Sequence, residues 1–172
     1  MNGCIESLTF EYLNKENFSA VSNVLFSILA DNMEKIAPTG NTRKEDYKCW
    51  YDAVSDGLTH AERQIILINH DGNIIGFFQY YTNSDTFVME EIQLASEYKG
   101  KGAFRKLYGF MIENLNNDIE FVEAFANIAN DKSILILEHI GLVKTGMNKN
   151  GCSFRFRGKF SDLLRWFNNK GE

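Results

Sequence analysis

The sequence predicts a mixed α/β fold, and three observations carry that expectation. Short apolar runs of strand length alternate along the chain with segments whose apolar residues recur at helical spacing. Three of the strand-like runs follow one another directly, separated only by tight polar turns, which makes that part of the sheet antiparallel. No repeat, low-complexity tract or linker interrupts the 172 residues, so 1–172 reads as a single domain. A chain of that length buries roughly 70% of the surface its unfolded form exposes.

Each element has its own signal. SLTFEYL (7–13) alternates imperfectly and reads as a first strand, after which Phe18, Val21, Leu25, Ile28 and Leu29 mark one face of a helix. Thr42 with Glu45 three residues on has the form of a capping box, and Tyr47, Trp50, Tyr51, Val54 and Leu58 give the inner face of a second helix. The only proline, Pro38, falls in the loop between them. QIILIN (64–69), IIGFFQYY (74–81) and TFVMEEIQL (86–94) form the meander, with turns at His70-Asp71-Gly72-Asn73 and Asn83-Ser84-Asp85. Phe104, Leu107, Tyr108, Met111, Ile112 and Leu115 hold a period near 3.6 and predict a third helix.

FVEAFANI (121–128) then reads as a strand, and DKSILILEHI (131–140) as a helix stopped by Gly141. LVKTGM (142–147) and CSFRFR (152–157) face each other across Asn148-Lys149-Asn150-Gly151, the second run alternating Phe154 and Phe156 with Ser153, Arg155 and Arg157. SDLLRWF (161–167) predicts a short closing amphipathic helix, and NNKGE a frayed end.

Composition excludes several classes. The chain carries 18 Lys+Arg against 23 Asp+Glu, a formal net charge of -5, which does not suit a general binder of nucleic acid. Cys4, Cys49 and Cys152 are far apart and odd in number, with no His at metal-ligand spacing, so neither a disulfide framework nor a metal site is expected. The N-terminus lacks the pattern of a signal peptide, and no window approaches 18 consecutive apolar residues. The expectation is a soluble cytoplasmic protein with no membrane partner; its oligomeric state is not legible.

Against that acidic background, EYKGKGAFRKL (97–107) gathers Lys99, Lys101, Arg105 and Lys106 around Gly100 and Gly102. A strand that passes through Gly-Lys-Gly into a helix presents backbone N–H groups at the positive end of the helix dipole, where glycines let an anion approach the main chain. Considered alone, the segment fits equally a turn with solvated lysines. It is not a Walker A loop, since no G-x-x-x-x-G-K-[ST] can be read there. The dinucleotide fingerprint would require glycine where Arg105 stands and a βαβ unit in place of the meander.

Lys99-Gly100-Lys101-Gly102-Ala103-Phe104 resembles the [QR]-x-x-G-x-[GA] signature of the GNAT superfamily of N-acetyltransferases, and it lies between the fourth strand and the third helix, as it does in that family. Asn130, followed by a helix that closes in HIGLVKTG, is similar to the family's N...LYEKLGF segment. The resemblance covers Gln64 to about Arg157 and the opening sixty residues only loosely. It implies a GNAT-type fold, a central, mostly antiparallel twisted sheet of about seven strands flanked by helices, and acetyl-CoA as co-substrate. The coenzyme A pyrophosphate would then rest on the turn formed by Lys99, Gly100, Lys101, Gly102, Ala103, Phe104 and Arg105. Asn130 and Ser133 are carried over as further contacts, and the amides of Ile92, Gln93 and Leu94 as partners of the acetyl carbonyl and pantetheine. Three departures stand out. Lys99 replaces Gln or Arg, Phe104 occupies the closing Gly/Ala position, and Leu137 stands where many members have a tyrosine that protonates the departing thiolate.

Acetyl transfer to an amine needs a neutral nucleophile, a polarised carbonyl and a proton for the thiolate. Glu90 and Glu91 interrupt an apolar strand, and the one that faces the cleft can accept the ammonium proton; matched from the glycine signature, Glu90 comes first. Adjacent strand residues point to opposite faces, so the pair shares a role only across a bulge. For the thiolate, Ser133 shares a helical face with Leu137, while His139 points away. Trp50 and Tyr51 are candidates for the acceptor pocket, although aromatics at helical spacing more often fill a core. His60 and His70 fall in expected loops. Asp85, Glu90 and Glu91 suit a cationic amine, on a small molecule or a peptide. The reading is an acetyltransferase acting by direct attack; the alternative is a GNAT-fold module that binds acyl-CoA or a regulatory partner without turnover.

Overall fold

The structure, a computed structural model, describes residues 7–116 and 118–169. Cys4 and the last three residues of NNKGE therefore lie outside the described residues. Among the described residues, seven strands form one sheet in the order β1-β2-β3-β4-β5-β7-β6, accompanied by five α-helices. In chain order these are β1 (Leu8–Tyr12), α1 (Phe18–Met33), α2 (Arg43–Gly57), β2 (Arg63–His70), β3 (Asn73–Asn83), β4 (Thr86–Leu94) and α3 (Ala103–Asn114). There follow β5 (Phe121–Asn127), α4 (Asp131–His139), β6 (Val143–Met147), β7 (Ser153–Lys159) and α5 (Phe160–Asn168). Every element anticipated from periodicity is present, in a mostly antiparallel sheet. Short 3-10 turns at Lys15–Asn17 and Ser96–Tyr98 carry no periodic signal and were not anticipated. The chain forms two compact units, one of residues up to Gln79 with Glu91–Leu107, the other of Tyr80–Glu90 with residues from Tyr108 on; the division falls within β3, β4 and α3.

In the first unit β1 pairs antiparallel with β2, from Leu8↔His70 to Tyr12↔Ile66. The β2–β3 turn is two residues long, with Asp71 at φ 50° and Gly72 at φ 77°. Two successive left-handed residues match the right-handed twist of the flanking strands, which is why Asp-Gly is favoured there. Thr42 and Glu45 form the capping box at the start of α2, a motif that stabilises a helix by about 1 kcal/mol. α1 and α2 bury Phe18, Leu25, Val54 and Leu58 against Ile65, Leu67 and Phe77 of β2 and β3. His70, expected in a loop, instead closes β2, its ring 5.3 Å from that of Tyr98. Among the described residues no helix is long and apolar enough to cross a membrane.

In the second unit β5 is the organising strand. It runs parallel to β4 over Thr86↔Phe121 to Met89↔Ala124 and antiparallel to β7 over Phe121↔Lys159 to Asn127↔Ser153. β6 pairs with the other edge of β7, with a register shift between Lys144 and Gly146. The alternation read in CSFRFR holds at Phe156, which is fully buried, whereas Phe154 is half-buried like its neighbours; Arg155 and Arg157 lie 2.6 Å and 3.6 Å from Glu123 of β5. Gly141 ends α4 at φ 96°, a conformation that disfavours a side chain. α5 buries Leu163, and its Trp166 ring meets Tyr108 of α3 edge-on at 5.5 Å.

Candidate functional site

The glycine segment leaves β4 through the turn Ser96–Tyr98, in which the N–H groups of Tyr98 and Lys99 donate to the carbonyls of Ala95 and Ser96 at 3.0 Å and 3.3 Å. The chain then passes Gly100 at φ 75° and Gly102 at φ 78°. A Cβ added at either glycine would meet no protein atom within 4 Å. The two glycines are thus needed for their backbone conformation, and the space above them is open. α3 begins at Ala103, and Lys106 N–H closes its first turn onto the Gly102 carbonyl at 3.4 Å. The amides of Ala103, Phe104 and Arg105 precede that bond, in the turn where a helix has no i−4 acceptor of its own. A helix start with this dipole and an open glycine cradle is suited to an anion.

A chain of four side chains connects this turn with the end of β4. Lys99 Nζ donates to Asn32 Oδ1 on α1, in a short contact. Asn32 Nδ2 donates to Gln93 Oε1 at 2.7 Å and to the Leu94 carbonyl at 3.0 Å. Gln93 Nε2 in turn donates to Glu91 Oε1 at 2.6 Å. Gln93 is 7% exposed, so both ends of its amide need partners, and both have them. The bond between Glu91 and Gln93 also shows that these two side chains share a face, which leaves Glu90 and Ile92 to the other in regular strand geometry. β3 presses on the same segment, because a Cβ at Gly76 would lie 2.4 Å from the Gln93 carbonyl oxygen. Ile92, Gln93 and Leu94 all lie beyond the four-residue ladder that β4 shares with β5.

The profile of the acetyltransferase (GNAT) family matches residues 24–141, more than half of the chain. The chain belongs to the GNAT acetyltransferase family. No curated protein matches the sequence. Among solved structures, the PaiA N-acetyltransferase of Thermoplasma acidophilum in complex with coenzyme A is similar at TM-score 0.70 and 13% identity, over 90% of this chain and 99% of that one. An acetyltransferase from Thermus thermophilus aligns at TM-score 0.68 and 11% identity, over 90% and 98%. The spermidine N-acetyltransferase of Vibrio cholerae with CoA and spermine aligns at 0.57 and 18%, over 91% and 98%. At such identities these likenesses establish the GNAT fold.

The remaining residues singled out by the GNAT resemblance are placed as follows. Asn130 caps α4, its Oδ1 accepting the Ser133 N–H at 3.1 Å. Leu137 is 8% exposed and packed inward, an apolar group where many members have a proton donor. His139 lies against Trp166, 6.4 Å between ring centres. Trp50 and Tyr51 join the aromatic packing of the first unit, Trp50 at 5.6 Å from Phe26 and Tyr51 at 5.3 Å from Phe18. Tyr51 also borders a cavity of about 170 Å³ with Lys15, Ser19 and Ser55. Lys99, expected as a cation for phosphates, is engaged by Asn32. Asn32 itself escaped sequence reasoning. The signal was present in outline, since a polar residue at 32 continues the inward stripe of Leu25 and Ile28.

Proposed function

We propose that the protein transfers the acetyl group of acetyl-CoA to a primary amine, on a small molecule or a peptide, by direct attack in a ternary complex. The observation that carries this reading is the open glycine cradle at Gly100 and Gly102, set at the start of α3 in a chain of this family. The backbone amides from Gly100 to Arg105 hold the diphosphate of the co-substrate, with Lys101 and Lys106 adding charge. Main-chain groups of Ile92, Gln93 and Leu94 orient the pantetheine arm and the thioester carbonyl, and Asn130 and Ser133 make further contacts. One of the two carboxylates, Glu90 first and Glu91 second, takes the proton from the ammonium so that a neutral nitrogen attacks. The co-substrate supplies the acetyl group and leaves with the thiolate. A CoA thiol is acidic enough to depart without a dedicated donor beside cations and a helix start, which makes a leucine at 137 tolerable. The PaiA and spermidine enzymes, named for N-acetylation and for a polyamine, support an amine acceptor.

Leu137 also favours a second reading, a GNAT-fold module that binds acyl-CoA without turnover. Binding tests both readings, and turnover separates them. Calorimetry should show one acetyl-CoA bound per chain; absence of binding to acetyl-CoA and CoA alike at near-millimolar ligand would sink both. Gly102→Asp should weaken CoA at least about tenfold, while Gly40→Asp should not. Gly40 has the same left-handed backbone, φ 81°, and equally open surroundings, so an aspartate there carries similar strain and charge outside the glycine segment. Thiol release with a panel of amines then tests turnover. Glu90→Gln should cost about 10²- to 10⁴-fold in rate at unchanged CoA affinity if it is the base. No release above hydrolysis with any amine would leave the binding module.

A further inference from the structure

Lys99, Asn32, Gln93 and Glu91 form a hydrogen-bonded line with a defined direction. At one end stands an ammonium, which has only protons to give; at the other a carboxylate, which as an anion only accepts. Between them lie two carboxamides, each able to sit in either of two orientations. The ends and one backbone group remove that freedom. Lys99 must donate, so Asn32 turns its oxygen toward Lys99. The Leu94 carbonyl must accept, so the Asn32 nitrogen faces β4, where its two protons serve Leu94 and Gln93. With its oxygen so occupied, Gln93 has only its nitrogen left for Glu91.

We propose that Asn32 is a positioning residue for acetyl transfer: from α1 it locks the Gln93 amide with its nitrogen toward Glu91 and, through Lys99, ties the glycine turn to the end of β4. The inference rests on the acetyl-transfer reading, whose two chemical demands it links. Asn32 bonds at once to the turn that holds the co-substrate, through Lys99, and to the strand segment that carries a candidate base and the carbonyl-orienting amides, through Gln93 and Leu94. Asn32 touches neither reacting atom and acts through Gln93, Leu94 and Lys99. The residue type follows from the task. Asp at 32 could accept from Lys99 but could not donate to Gln93 and Leu94, and Leu could do neither.

The first test uses the free protein and is independent of turnover. The side-chain amide signals of Gln93, assigned by their loss in Gln93→Leu, report which partner its nitrogen faces. Glu91→Gln should move them, and so should Asn32→Asp, which gives Gln93 an acceptor on α1 and turns its amide over. Signals that ignore either substitution would overturn the proposal. The second test is kinetic. Asn32→Leu and Asn32→Asp should each lower kcat/KM for the amine about tenfold, as expected of a small misplacement of reacting groups. One CoA should still bind per chain, and the melting temperature should stay within a few degrees. A merely structural role would instead lower the bound fraction and the activity together. An active wild type with both variants within twofold of it would overturn the positioning role alone. A wild type that neither binds acetyl-CoA nor releases thiol overturns the acetyl-transfer reading, and the role with it, while the amide signals still report whether the line of bonds exists.

Discussion

Tyr108 shows how a side chain that sequence periodicity assigns to a helix face acquires chemistry from burial. It is 2% exposed on α3, its hydroxyl donates to Met89 Sδ at 3.4 Å, and its ring meets Trp166. Burial takes the hydroxyl out of water, and this desolvation pushes the phenol well above its ordinary range. Tyr108 therefore stays neutral at any physiological pH and is no source of phenolate. The sign of the stability effect follows. The folded-state pKa is raised, so the stabilising contribution is complete below the unfolded value of about 10. Above it the unfolded chain ionises while the fold holds its proton, and stability falls by about 1.4 kcal/mol per pH unit. Tyr108→Phe should remove that slope. Melting curves at pH 9 and 11 should drop several degrees further for the wild type than for the variant; parallel drops would mean that the hydroxyl is solvated.

At the scale of elements, the segment from β4 to α3 depends on how closely β3 approaches it. Gly76 is the small residue that permits this, since any side chain there would meet the Gln93 carbonyl oxygen at 2.4 Å and Leu94 Cδ1 at 3.0 Å. The Ala95 N–H bond to the Ile75 carbonyl, 2.8 Å, fastens the two strands just beyond. A backbone oxygen cannot step aside as a flexible side chain does, so the strand must shift. Gly76→Ala should destabilise the protein by about 1–3 kcal/mol, the usual cost of overpacking. In the surviving folded fraction it should weaken acetyl-CoA, because the displaced peptide precedes the cradle. A melting temperature and CoA affinity both equal to wild type would show that β3 and β4 have slack. In the sequence Gly76 reads only as an interruption in IIGFFQYY. That a particular carbonyl lies opposite is a matter of pairing, which no local pattern records.

For the whole molecule, the formal charge of -5 bears on the acceptor. An acidic protein raises the local concentration of cations and speeds their arrival, and salt screens the effect over a Debye length of about 10 Å at 0.1 M. If the acceptor is a cationic amine, kcat/KM for a diamine should fall more steeply than for a monoamine as salt rises from about 0.05 to 0.5 M. Equal slopes, or preference for an acceptor bearing a carboxylate, would remove net charge as a determinant of acceptor choice. The sequence by itself determined the strands, the α-helices, their order and the glycine turn, because these are written in short-range chemistry. Period, capping box, Asp-Gly turn and Gly-Lys-Gly turn each lie within a few residues, and each came out where expected. Tertiary structure alone decided what those pieces do to one another. It placed β5 parallel to β4 and closed a salt bridge from Glu123 to Arg155, 32 residues away. It also put Asn32 in reach of Gln93, Leu94 and Lys99, separated from it by 61, 62 and 67 residues. An amide so far along the chain from its partners carries no local mark of them, since the free energy that selects their contact is that of packing α1 against the sheet, a property of the folded chain.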